Sequence, residues 1–152
     1  MSRLPVVRLR VPLLVAGTSL TLSLSALSAR ADLVYTPIPM PDSNTVVDTL
    51  SDVDIPTGNG GFARDYLIEL EAGDQVVMDL SSEQFDTIIT LIAPDGTTIG
   101  QNDDGPDGTT NSLLFARITQ TGSYVLRVSP FAGQGLGQFT LSVTRLRPVD
   151  EP

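Results

Sequence analysis

The stretch Tyr66–Leu80 reads YLIELEAGDQVVMDL. Tyr66, Ile68 and Leu70 fall on one side of an extended chain, with Leu67 and Glu69 on the other. Val76, Met78 and Leu80 then alternate with Gln75, Val77 and Asp79. Successive side chains of a strand point to opposite faces, so each half reads as a strand with one buried side. Ala72-Gly73-Asp74 between them carries turn chemistry and no apolar anchor.

The same period of two recurs downstream. Tyr124, Leu126 and Val128 alternate with Val125, Arg127 and Ser129, and Phe139, Leu141 and Val143 alternate with Thr140, Ser142 and Thr144. Thr87–Ala93 (TIITLIA) is apolar on both sides, as expected of a central strand, and Leu113–Ile118 is mixed but strand-like. Turn signals at Pro94-Asp95-Gly96, Thr121-Gly122 and Gly133–Gly137 divide these runs at short intervals, and no helical period is sustained. Seven or eight short antiparallel strands with this spacing predict an all-β chain. The expected fold is an antiparallel β-sandwich of the jelly-roll or Greek-key kind.

The pentapeptide PDGTT occurs twice, at Pro94–Thr98 and Pro106–Thr110. The first copy separates two apolar runs. Pro94 presets φ and Gly96 supplies the positive φ that closes a tight hairpin, so it reads as a turn. The second copy follows Asn102-Asp103-Asp104, inside ten residues (102–111) that also hold Asp107 and no apolar side chain. Carboxylates so close raise one another's pKa unless a cation or donors offset them. Calcium takes several hard oxygen ligands, and loops of this composition supply them. The order is neither that of an EF-hand nor of a GGxGxD repeat, and a solvated acidic loop is the alternative.

A second acidic group comprises Asp48, Asp52 and Asp54, with Asp65 just before Tyr66 and with Asp42 and Asn44 upstream. In an extended chain Asp52 and Asp54 share one side and could hold a cation together with Asp65. Equally, such charges blunt a sheet edge against aggregation.

Charge and the N-terminus set the compartment. Arg3, Arg8 and Arg10 precede the apolar run Val11–Leu27, which is 17 residues long with five hydroxyl side chains, and Ala29-Arg30-Ala31 follows. This is the pattern of a cleavable signal peptide, expected to be cut after Ala31, and the run is short for a transmembrane helix. The mature chain is then secreted or periplasmic, without membrane insertion. All 18 acidic residues follow Ala31, against five arginines and no lysine, so these 121 residues carry a net charge of −13. Such a surface repels nucleic acid and favours divalent cations. The chain has no cysteine, hence no disulfide to staple an exported fold. The expected division is a signal peptide at 1–31, an extended, proline-containing leader at 32–45, the sandwich at 46–146 and a tail at 147–152.

These residues carry a family resemblance. Asp65–Asp74 (DYLIELEAGD), Phe85-Asp86-Thr87, Leu91–Gly96, Asn102-Asp103-Asp104, Asn111-Ser112, Gly122-Ser123-Tyr124 and Gly137–Leu141 (GQFTL) follow in order over about residues 46–146. In this the chain resembles the bacterial pre-peptidase C-terminal domain, a β-sandwich module often appended to secreted peptidases. The resemblance implies a jelly-roll-like sandwich, a secreted accessory or binding role, and no catalysis. It also implies calcium (Ca2+), since some relatives, including collagen-binding modules of bacterial collagenases, hold it with an acidic linker and aspartates before an early strand. By position that points to Asp52, Asp54 and Asp65, with Asp42 or Asn44 as further donors, and the Asn-Asp-Asp motif points to Asp103 and Asp104. No peptidase segment precedes the module, which implies a free-standing one. With no Trp and three Tyr, collagen binding is not carried over. The partner implied is an exported protein or an extracellular polymer.

His, Cys and Lys are all absent, which removes His-based triads, thiol nucleophiles and Schiff-base chemistry. Phe85-Asp86-Thr87 lacks the glycine of an aspartic-protease motif, since Ile88 follows. Arg117 and Arg127 lie in strands, where they face solvent or pair with acids. A hydrolase built on paired carboxylates, or a carbohydrate-binding domain on the same sandwich, is the alternative reading.

Overall fold

The computed structural model describes residues 35–106 and 108–146. The signal segment and its cleavage site, Asp107 and the tail at 147–152 lie outside the described residues. Ten strands follow in order: β1 (Ile38–Pro39), β2 (Thr45–Leu50), β3 (Ile55–Pro56), β4 (Phe62–Leu70), β5 (Gln75–Ser81), β6 (Thr87–Ile92), β7 (Thr98–Asn102), β8 (Ser112–Arg117), β9 (Gly122–Pro130) and β10 (Gly137–Leu146). One sheet runs β1-β4-β9-β6-β7, with β3 also paired to β4, and the other runs β2-β10-β5-β8. Every ladder is antiparallel except the short parallel pairing of β1 with β4, at Ile38↔Tyr66 and Pro39↔Leu67. The fold is therefore an all-β sandwich.

β4 and β5, the two halves of YLIELEAGDQVVMDL, belong to different sheets. Gly73 turns the corner between them at φ 99°, and the corner is fastened to the end of β8 by Gly73 N–H to Ile118 O and Ile118 N–H to Asp74 O, both 2.8 Å. Their alternating apolar sides face each other across the interlayer. Tyr66, Ile68 and Leu70 are buried opposite Val76, Met78 and Leu80, and Leu126, Val128, Phe139 and Leu141 complete the layer. Burial stabilises by about 1.5–3 kcal/mol for each large apolar side chain. Phe139 anchors the middle, meeting Tyr66 and Phe85 edge to face with ring centroids 6.3 and 6.4 Å apart.

The first PDGTT forms the β6–β7 turn. Gly96 has φ 85° and its N–H reaches Ala93 O at 2.9 Å, while Asp95 accepts from the Thr97 amide at 2.9 Å. β6 lies one place in from the edge strand β7. Its outward Ile88 and Ile92 are accordingly half-buried, while Thr87, Ile89 and Leu91 are enclosed. Thr87 and Ser112 hydroxyls bond at 2.6 Å across the interlayer, and Ser112 also donates to Thr87 O at 2.7 Å.

Candidate functional site

Strand register places the one charged side chain buried among the described residues. Asp65 in β4 stands directly opposite Arg127 in β9. The guanidinium grips its carboxylate in a fork, Nε to Oδ1 and Nη2 to Oδ2, each at 2.8 Å. The Asp65 side chain is fully enclosed while Arg127 remains about one-third exposed. Tyr35, at the start of the described chain, adds its hydroxyl as a donor to Asp65 Oδ2. Burial, and then the hydrogen bond and charge of Asp65, push the Tyr35 phenol up to about 12. Its bonds to Asp65 raise Arg127 above its ordinary value against the opposing effect of burial. Bidentate, charge-assisted bonds of this kind fix geometry strongly.

The neighbouring Arg64 points to the opposite face, because consecutive strand residues do. It bridges Asp48 (Nη1–Oδ1, 2.6 Å) and Asp54 (Nε–Oδ1, 2.8 Å). Asp54 Oδ2 also accepts from the Ser51 amide at 2.8 Å and hydroxyl at 3.1 Å. Asp48 Oδ2 accepts from the Tyr66 hydroxyl at 2.7 Å. Burial works to raise the Asp48 pKa, but donors from Tyr66, Thr49 and Arg64 outweigh it and hold the group below its ordinary value. Burial likewise raises the Tyr66 phenol, as does its bond to Asp48.

The five expected calcium ligands are thus distributed rather than gathered. Asp54 and Asp65 lie on opposite faces of β4, and each has an arginine where a cation would sit. Asp52 and Asp54 do not share one side: residues 51–54 form a turn closed by Asp54 N–H to Ser51 O (3.3 Å), which leaves Asp52 exposed. Asp103 and Asp104 occupy the β7–β8 loop, the first half-exposed and the second exposed. There Asn102 is a staple, its amide donating to Asp104 O at 2.6 Å and Leu113 O at 2.8 Å. Among the described residues no three acidic side chains converge as a metal site, so the arrangement does not fit a shared calcium ion at Asp54 and Asp65.

Sequence reasoning did not assign Arg64, Tyr35 or the Tyr66 hydroxyl. The signal was Arg64-Asp65-Tyr66 itself, a strand in which charge alternates onto both faces. Above the Asp65 pair, Tyr35, Leu67, Ile92, Pro94 and Val125 line an open, mostly apolar depression of about 540 Å3.

At the end of the sandwich where β4 begins, the loops 57–61 and 131–137 meet backbone to backbone. A Cβ built on Gly133 would lie 2.4 Å from Gly60 O, and one on Gly61 would lie 2.5 Å from Gly133 O. Phe131 N–H to Asp86 O (2.8 Å) and Gln138 N–H to Gln84 Oε1 (2.9 Å) fix the second loop further. Within it Ala132 adopts the left-handed region at φ 52° and ψ 22°.

The family model of the bacterial pre-peptidase C-terminal domain matches residues 62–130. No curated protein matches the chain significantly. Among solved structures, the chain is similar to PliG from Aeromonas hydrophila, a periplasmic inhibitor of g-type lysozyme, at 17% identity and a TM-score of 0.52, covering 73% of this chain and 96% of that one. It is also similar to the pre-peptidase C-terminal domain of collagenase from Bacillus anthracis, at 12% identity and a TM-score of 0.53, covering 72% of this chain and 95% of that one. At such identities the likeness is one of fold. No helix among the described residues is long and apolar enough to cross a membrane. Over residues 62–130, strands β4 to β9, the chain is similar to the bacterial pre-peptidase C-terminal domain.

Proposed function

We propose that this chain is an exported, non-catalytic module that binds a protein partner outside the cytoplasm. The observation that carries the reading is the state of Asp65. It is the only charged residue buried among the described residues, and Arg127 and Tyr35 hold its carboxyl group in place. A catalytic acid or base must be free to meet a substrate, whereas both oxygens of this carboxylate are already engaged, by Arg127 and Tyr35. The absence of His, Cys and Lys leaves few other groups for such chemistry. A secreted or periplasmic location agrees with the signal-like N-terminus and with the periplasmic inhibitor that shares the fold.

Arg64 and Arg127 supply the positive charge that calcium was expected to bring to Asp54 and Asp65. Asp52, Asp103 and Asp104 remain as loop carboxylates outside those two pairs.

The test uses the purified exported protein with a g-type lysozyme. Formation of a complex that slows clearing of a peptidoglycan suspension is expected, with no turnover of peptide or glycan substrates by the protein alone. Turnover abolished by Asp103→Asn or Asp104→Asn would overturn the reading in favour of a carboxylate hydrolase.

A further inference from the structure

We infer that the docking surface is the end of the sandwich built by the described residues of segments 51–61, 82–86, 103–106, 108–111 and 131–136, and that its partner is a basic protein; this rests on the protein-binding reading above. The register brings these segments together. β4 and β6 begin where β7 and β9 end in one sheet, and β8 and β10 begin where β2 and β5 end in the other. Every connection between those strand ends therefore crosses the same pole.

Two properties coincide there. The first is charge. The described residues of these segments include six acidic ones, Asp52, Asp54, Glu83, Asp86, Asp103 and Asp104, and no arginine. Of these only Asp54 meets an arginine, Arg64, in the ion pairs of the described residues. Among the described residues, the connections at the opposite pole hold four acidic residues, Asp42, Glu71, Asp74 and Asp95. There Arg145 comes within 3.5 Å of Asp74. A single-sign field concentrated at one end steers an oppositely charged partner to that end.

The second property is apolar exposure on a rigid frame. Val53 is 86% exposed, Phe131 46% and Leu136 42%. Phe131 and Leu136 project from the loop in which Gly133 is locked against Gly60 and Gly61, and Gly135 against Phe85, so their backbone is set before any partner arrives. Left-handed Ala132 between Phe131 and Gly133 is a conformation that persists only when its surroundings impose it. Exposed large side chains on a preordered loop lose little freedom on binding and act as interface anchors. The combined surface asks for positive charge around an apolar recess, which describes a basic protein with a cleft.

Binding is measured by calorimetry at low and at physiological salt, with a g-type lysozyme of net positive charge as the probe. Phe131→Ser with Leu136→Ser, and separately Asp103→Asn with Asp104→Asn, should each weaken binding about tenfold or more. The charge-matched control at the other pole, Asp42→Asn with Glu71→Gln, should change it less than about twofold, and added salt should weaken the wild-type complex. If the control pair weakens binding as much as the acidic pair, the surface is wrong while protein binding stands. If the wild-type protein fails to bind the probe at low salt, the protein-binding reading fails and the surface with it. If calcium alone saturates the pole and abolishes binding of the probe, the pole is a metal site and the inference is overturned.

Discussion

Asp65 stands opposite Arg127 because β4 and β9 pair in a register that joins residues 62 apart in sequence. Removing the guanidinium leaves a buried carboxylate with the Tyr35 hydroxyl as its remaining side-chain donor. Arg127→Met should therefore destabilise the fold by about 2–4 kcal/mol, measured by urea unfolding. Tyr35 gives the same contact a pH signature. Its folded pKa of about 12 lies above the ordinary value of 10.0, so the stability it contributes is complete below pH 10 and is lost as pH rises from there towards 12. Tyr35→Phe should flatten that alkaline decline, and an unchanged decline would place the hydroxyl elsewhere. Asp48 acts in the opposite range: its depressed pKa gives stability that disappears as pH falls through and below the usual carboxylate range. Composition and spacing made the aspartates legible as anions needing a counter-charge. They could not say that the counter-charge was already in the chain, because Arg127 is a neighbour only once the strands are paired.

The long strands were legible as elements because burying one side of each imposes the period of two. β5 and β9 follow it cleanly, β10 does so over residues 139–143, and β4 does so from Tyr66 onward, Asp65 before it being buried as well. β2 was not assigned because Thr45–Leu50 fully buries only Leu50 and exposes Val47, so no apolar side marks it. β1 and β3 are two residues each, too short for any period. Within the segment expected to be a leader, Ile38 and Pro39 pair with β4 as β1, Met40 packs against the core, and Asn44 turns the chain at φ 53°. Glycine content marked the loops but not what they touch. Gly58 and Gly133 both have positive φ, at 81° and 70°, but only Gly133 abuts another backbone. Gly58→Ala should cost about 1 kcal/mol for its conformation, whereas Gly133→Ala should cost about 2–4 kcal/mol, by chemical unfolding. Equal costs would mean that the two loops do not press together.

Over the whole molecule, the net charge of −13 expected after cleavage opposes compaction, and Arg64 and Arg127 relieve it at Asp48, Asp54 and Asp65. Thermal unfolding should therefore shift upward with sodium chloride, as screening reduces self-repulsion. Calcium at millimolar concentration, compared with a chelator at equal ionic strength, should leave the midpoint unchanged. A gain of about 2.7 kcal/mol at a hundredfold excess over the dissociation constant would instead establish a bound ion. The order of the strands has one more outcome. β10 is the last of the described strands to be synthesised, yet it is an interior strand, flanked by β2 and β5. Until residues 137–146 are synthesised, β2 has nothing to pair with and β5 lacks one neighbour. The second sheet therefore closes only once β10 has been made, so its assembly waits on the segment furthest along the described chain.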